Sequence, residues 1–99
     1  MKVILQPSAI NDLADIATFI RTDNPERAAS FVDEIQSRCE SLGVMPNAYP
    51  LLARHTKSGI RRCAYRDYLI FYRVAPDQVD VLHILHGARD IDAFLFPED

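Results

Sequence analysis

The spacing of apolar residues changes period along this chain, and each change marks an element. Val3-Ile4-Leu5 is a short apolar run stopped by Pro7, which reads as a strand. Leu13, Ile16, Ala17 and Ile20 then recur at i, i+3, i+4 and i+7, the stripe of an amphipathic helix, with Ser8 expected as its N-cap. Asn24-Pro25-Glu26 announces a second helix: a side-chain acceptor, a proline at the first helical position, and an acid beside the positive helix end. Its stripe is Ala28, Phe31, Val32, Ile35, Cys39 and Leu42, and Gly43 stands where a left-handed glycine would end it. Two amphipathic helices with a tight link form an antiparallel hairpin that must bury both stripes against a further layer.

That layer comes from residues 60–86. After an aperiodic, proline-containing connection (44–58) that carries Arg54, His55 and Lys57 on the surface, the pattern turns to strand. Residues 60–65, 68–74 and 79–86 are rich in β-branched, aromatic and aliphatic side chains. Arg66-Asp67 and Pro76-Asp77-Gln78 separate them with turn chemistry, and links this short can only make an antiparallel meander. The expected fold is α+β: an N-terminal strand, an antiparallel helical hairpin packed on a small antiparallel sheet, and a short C-terminal segment. The first strand is expected to join the same sheet, giving four strands in one domain spanning residues 1–99.

A chain of 99 residues has room for one core. No apolar run approaches the roughly 18–20 residues of a membrane span, and the N-terminus lacks the pattern of a signal peptide, so a cytoplasmic protein is expected. Two cysteines, Cys39 and Cys63, are expected to stay free in a reducing compartment. His55, His83 and His86 lack the carboxylate cluster that would complete a metal site, and no cofactor is implied. The net charge of −3 argues against direct nucleic-acid binding by the whole molecule. Charge is unevenly spread, however. Residues 54–73 hold six cations (Arg54, Lys57, Arg61, Arg62, Arg66, Arg73) against Asp67, a local +5 between flanks of −3 and −5. Such a basic face suits an acidic partner segment.

Four pieces in order, VILQPSAINDLADIATFI, NPERAASFVDEI, GIRR, and the paired strands LIFYRV and VLHILHGARD, resemble the ParE branch of the ParE/RelE superfamily, the toxins of bacterial type II toxin–antitoxin pairs. The resemblance covers residues 3–95. It implies the fold above, a cognate antitoxin laid over the helical hairpin and the adjoining sheet, and a target in DNA gyrase, which such toxins stall with DNA cleaved. By the same resemblance, Arg89 and the tail 91–96, with Phe94 in it, are candidates for target binding. The basic run and the strand end add Arg62, Arg73 and His86 to them, and Arg61, Arg62 and Arg66, with Phe31 on the hairpin, are candidates for antitoxin binding.

The ribonuclease branch of the superfamily asks for different chemistry. Cutting RNA at a 2′-hydroxyl needs a base, an acid and cations around the charged phosphorane. His86 offers an imidazole, a side chain suited to base or acid work, Arg62 and Arg73 are cationic, and Tyr65 or Tyr72 are candidate proton donors. Against this, His86 is followed by Gly87-Ala88-Arg89-Asp90 where ribonuclease members tend to place a tyrosine, no tyrosine follows Tyr72, and only Lys2 and Lys57 stand in for a lysine-rich strand. The gyrase reading is therefore preferred, with a ribosome-dependent mRNA endonuclease and a non-toxic antitoxin-binding module as alternatives. Structural roles compete at individual positions: Arg73 is expected to pair with Asp80 or Asp90, Arg89 with Asp90, and one of His83 and His86 to be a satisfied, half-buried histidine. Ile91, Phe94 and Leu95 have a second reading as a last helical turn that caps the core.

Overall fold

The computed structural model describes residues 1–97; the acids Glu98 and Asp99, counted above in the acidic C-terminal flank, lie outside the described residues. Elements follow in the order β1 (Lys2–Leu5), α1 (Pro7–Arg21), α2 (Pro25–Ser41), a 3-10 turn (Thr56–Ser58), β2 (Ile60–Tyr65), β3 (Tyr68–Val74), β4 (Gln78–His86) and α3 (Ile91–Leu95). The three C-terminal strands form the expected meander, and β1 completes a four-stranded sheet of order β1-β4-β3-β2. Because β1 lies parallel to β4, with Lys2 opposite Gln78 and Leu5 opposite Val81, the sheet is mixed rather than wholly antiparallel.

Both faces of the sheet are covered. On one, α1 and α2 bury Leu13, Ile16, Phe31 and Ile35 against Ile70, Tyr72, Val79, Val81 and Ile84. On the other, Ile60, Phe71 and Leu85 meet Leu52, Leu69 and Leu82 and the C-terminal residues Ile91, Leu95 and Phe96. Ile70, Phe71 and Tyr72 are consecutive and all fully buried. A strand enclosed on both sides has no reason to alternate polar with apolar, so its sequence reads as an unbroken apolar run.

Two end signals act differently from expectation. Pro7 opens α1 and Gln6 occupies the N-cap without a side-chain bond, whereas Ser8 lies one residue inside the helix and its hydroxyl donates to the Leu82 carbonyl. Asn24 caps α2 as anticipated, accepting from the Arg27 N–H at 3.0 Å. Gly43 does not adopt the left-handed conformation; Gly59 is the glycine at positive φ, ending the 3-10 turn. What Gly43 provides is close approach. A Cβ there would stand 2.1 Å from the Met1 carbonyl oxygen, and the Gly43 carbonyl accepts a bond of 3.0 Å from the Met1 ammonium group. Cys39 and Cys63 are free and buried, and burial pushes the Cys39 thiol up to about 12.

β4 outruns β1, and α1 finishes the edge. Past Val81 a bulge leaves Leu82 out of register with β3, since Phe71 faces His83 while Tyr72 faces Val81. There the Asp12 carboxylate accepts from the Ile84 N–H at 2.9 Å and lies 2.7 Å from His83 Nδ1. With Ser8 on Leu82, side chains of α1 thus replace the missing strand along the upper half of β4. His83 is the satisfied histidine of the pair.

Candidate functional site

Two clusters of charged and aromatic side chains lie against the helices. The first is an open pocket of about 330 Å³ between α1 and the end of β4, walled by Asp15, Phe19, Tyr68, His86, Arg89 and Phe94. Phe19 is 73% exposed on α1, an uncovered aromatic at the pocket rim. Arg89 does not pair with Asp90. Its guanidinium carbon stands 4.5 Å from the centre of the Phe94 ring, while the Asp90 carboxylate caps α3 by accepting from the Ala93 N–H at 3.3 Å. His86 is exposed at the strand end; its Nδ1 accepts from the Ala88 N–H at 3.1 Å, and its ring meets Tyr68 edge-on. That acceptance places the neutral ring's proton on Nε2.

α3 is amphipathic over little more than one turn. Ile91, Leu95 and Phe96 enter the second core, while Phe94 points the other way and remains 37% exposed. The two readings of this segment thus divide by residue: three side chains cap the core and Phe94 faces the pocket.

His86, Arg89 and Phe94 are therefore brought together, and Arg62 and Arg73 are not among them. Arg62 pairs with Phe71 and Arg73 with Ile60 across β2 and β3, so both lie on the sheet face opposite the helices. Both are exposed. Arg73 forms no ion pair with Asp80 or Asp90; its Nε donates to the Ser58 carbonyl at 3.0 Å, beside Gly59. The sheet separates these arginines from His86, so the three groups named for RNA cleavage do not converge on one phosphate. Neither tyrosine offered as a proton donor is available. Tyr72 is fully buried, donates to the Pro46 carbonyl at 2.7 Å, and has its phenol pushed up by burial; Tyr65 donates to Glu34.

The second cluster lies where α2 meets β2. Arg27, Phe31, Glu34 and Arg38 recur at helical spacing along one face of α2. Arg27 stacks on Phe31 at 5.0 Å, and both Arg38 (5.1 Å) and Arg66 (5.6 Å) lie against the Tyr65 ring. Arg66 reaches this position from a left-handed backbone conformation (φ 52°) in the two-residue turn between β2 and β3. Glu34 sits among them, bonded to Arg27 and Tyr65 and 3.7 Å from Arg66. Of the four residues named for antitoxin contact, Arg66 belongs here. Phe31 lies beneath the cluster at 4% exposure and offers a partner almost no surface; it packs on Tyr65 and Tyr68 instead. Arg61 is turned to the Tyr49 carbonyl at 2.7 Å, and Arg62 is on the far face. Arg27 and Arg38 join the cluster as well, and their four-residue steps from Phe31 and Glu34 are the sequence signal for it.

Hydrogen bonds from Arg27 and then Tyr65 hold the Glu34 carboxyl at about 2, well below its ordinary 4.5. A depressed carboxyl stabilises the fold fully above about pH 4.5 and loses that contribution as pH falls toward about 2. Glu34→Gln is thus expected to lower the thermal midpoint at pH 7 and to shrink the further drop between pH 4.5 and pH 2. Circular-dichroism melts of both proteins across that range provide the check, and an acid limb of unchanged size in the variant would contradict the assignment.

The family profile described as "ParE toxin of type II toxin-antitoxin system, parDE" matches residues 3–91 of this chain. Toxin ParE1 of Caulobacter vibrioides is 31% identical over 86 residues, spanning 85% of this chain and 86% of that protein. A solved structure of a chromosomal ParDE toxin–antitoxin system from P. aeruginosa superposes with a TM-score of 0.75 at 20% identity, over 87% of this chain and 95% of that one. No helix among the described residues is long and apolar enough to cross a membrane.

Proposed function

The chain belongs to the ParE family of type II toxins, and from that premise we propose that it poisons DNA gyrase in the cytoplasm and is silenced by a cognate antitoxin. The observation that carries the gyrase half is the Arg89–Phe94 pair. A guanidinium laid on an aromatic ring, with a second exposed aromatic (Phe19) and a histidine beside it, has the composition of a protein-binding hot spot. The cations that RNA cleavage would call on, Arg62 and Arg73, lie across the sheet from His86. In this reading gyrase is bound and stalled; the toxin breaks no bond itself.

The antitoxin half rests on the Arg27, Arg38 and Arg66 cluster. Three cations around two aromatic rings suit an amphipathic, partly acidic segment, whose carboxylates would meet the guanidinium groups while its apolar face settles along the helices. Arg61 and Arg62, at the edge strand β2, extend the positive field on which such a segment would be steered.

Pulse labelling of DNA and protein synthesis in the first minutes after induction in a bacterial host tests the proposal. DNA synthesis is expected to fall first while translation continues, and the purified protein is expected to trap gyrase on cleaved DNA. Translation stopping first would replace the gyrase reading with RNA cleavage. Unimpaired growth with abundant folded protein would reduce the chain to an antitoxin-binding module.

A further inference from the structure

A third cluster belongs to neither surface. His55 lies in the connection that the sequence presents as a solvated loop, yet its ring is stacked on Phe96, with centroids 3.8 Å apart and planes inclined by 18°. The backbone beneath it is fastened: its N–H donates to the Leu52 carbonyl at 3.1 Å, and its carbonyl accepts from both the N–H and the hydroxyl of Ser58, at 3.0 and 2.7 Å. The imidazole Nε2 is buried, has no hydrogen-bond partner among the described residues and points toward Asp92, 3.6 Å from Oδ1, while Arg54 stands 3.8 Å from the other carboxylate oxygen. Phe96 follows directly on α3, and Asp92 lies inside it.

We infer that His55 is a positioning residue, a latch that fixes α3 and through it the presentation of Phe94 and Arg89. α3 has five residues, far below the length at which a helix holds in water on its own, so its shape depends on docking. Ile91 and Leu95 provide apolar docking on the sheet, but a single turn on an apolar surface can slide and rotate. The stacked ring fixes the far end in register, and Asp92, facing both Arg54 and His55, fixes rotation. With rotation fixed, Phe94 is left on the side of α3 that faces the pocket. The consequence for gyrase rests on the reading above; the latch itself does not.

Amide exchange followed by NMR separates the two. The Phe96 N–H, bonded to the Asp92 carbonyl, is expected to exchange about tenfold faster in His55→Ala, with Ile70 and Ile84 in the sheet unchanged. His55→Tyr keeps the flat ring and should restore slow exchange. If His55→Ala does not accumulate folded, Phe96→Leu removes the stack from the other side and should give the same rise. Unchanged exchange at Phe96, or a rise shared equally by the sheet amides, would overturn the latch. In parallel, His55→Ala is expected to weaken gyrase inhibition about tenfold. Faster exchange with undiminished inhibition would keep the latch and remove α3 from target binding.

Discussion

Arg89→Ala is expected to raise the concentration needed to inhibit gyrase supercoiling by about thirtyfold or more, while Arg21→Ala leaves it unchanged. The magnitude follows from what Arg89 does. Its guanidinium sits 4.5 Å over Phe94 and forms no ion pair among the described residues, at a pocket rim that a partner would desolvate. Arginine at the centre of such a contact typically contributes about 2 kcal/mol or more, and 1.4 kcal/mol is a factor of ten. Arg21 is also exposed, but it ends α1 and is bonded to Thr18 at 3.2 Å, away from α3. Two further variants sharpen the test. Arg89→Lys keeps the charge and loses the planar stack, so it should recover only part of the inhibition. Phe94→Ala should resemble Arg89→Ala, because each removes the other's support. Equal potency of the Arg89 and Arg21 variants, at matched folded concentration, would dismiss Arg89 from the target surface.

Phe31→Ala is expected to cost about 3–5 kcal/mol of stability, a large share of the roughly 5–15 kcal/mol typical of a small domain. Phe31 is 4% exposed and packs against Tyr65 and Tyr68 with ring centres 5.8 and 5.4 Å away. Removing it opens a cavity at the junction of α2 with β2 and β3, and takes the floor from under Arg27 and Tyr65. Antitoxin affinity should therefore fall too, as an indirect effect. Phe31→Leu, which refills most of the space, separates the two consequences: most of the stability should return in a urea titration, together with most of the antitoxin affinity. Loss of antitoxin binding by a Phe31→Leu protein of near-normal stability would show instead that the ring itself is recognised.

Which parts of this protein could be read from its sequence follows from how local their causes are. The α2 start at Asn24-Pro25, the stripe of Ile35 and Cys39, and the meander from Ile60 to His86 all depend on neighbours a few residues away, and they stand as expected. The ends governed by distant partners do not. Ser8 was drawn out of its capping role by the Leu82 carbonyl, and Gly43 serves the approach of Met1 rather than a helix terminus. The same division runs through the site. Family likeness named Arg89 and Phe94, which sit together, but charge counting also enrolled Arg62 and Arg73. A count of charges along the chain carries no information about which face of a sheet each one occupies, and both lie behind it. His55 was hidden for a related reason. A histidine in a proline-containing connection has no periodic signature, and its partner Phe96 is forty-one positions further along.

The parallel pairing of β1 with β4 bears on how the protein comes into being. Lys2 leaves the ribosome long before its sheet partner Gln78, and the Asp12 carboxylate waits for Ile84. Throughout most of synthesis the emerging α1–α2 hairpin has no sheet to cover, and contacts of such long sequence separation form slowly. Neither the pocket beside α1 nor the docking surface for α3 exists until the strand ending at His86 has cleared the exit tunnel. A chain built this way cannot present either surface while it is being translated. On the proposed function, an antitoxin already present in the cell would meet its target only once the first and last strands had joined.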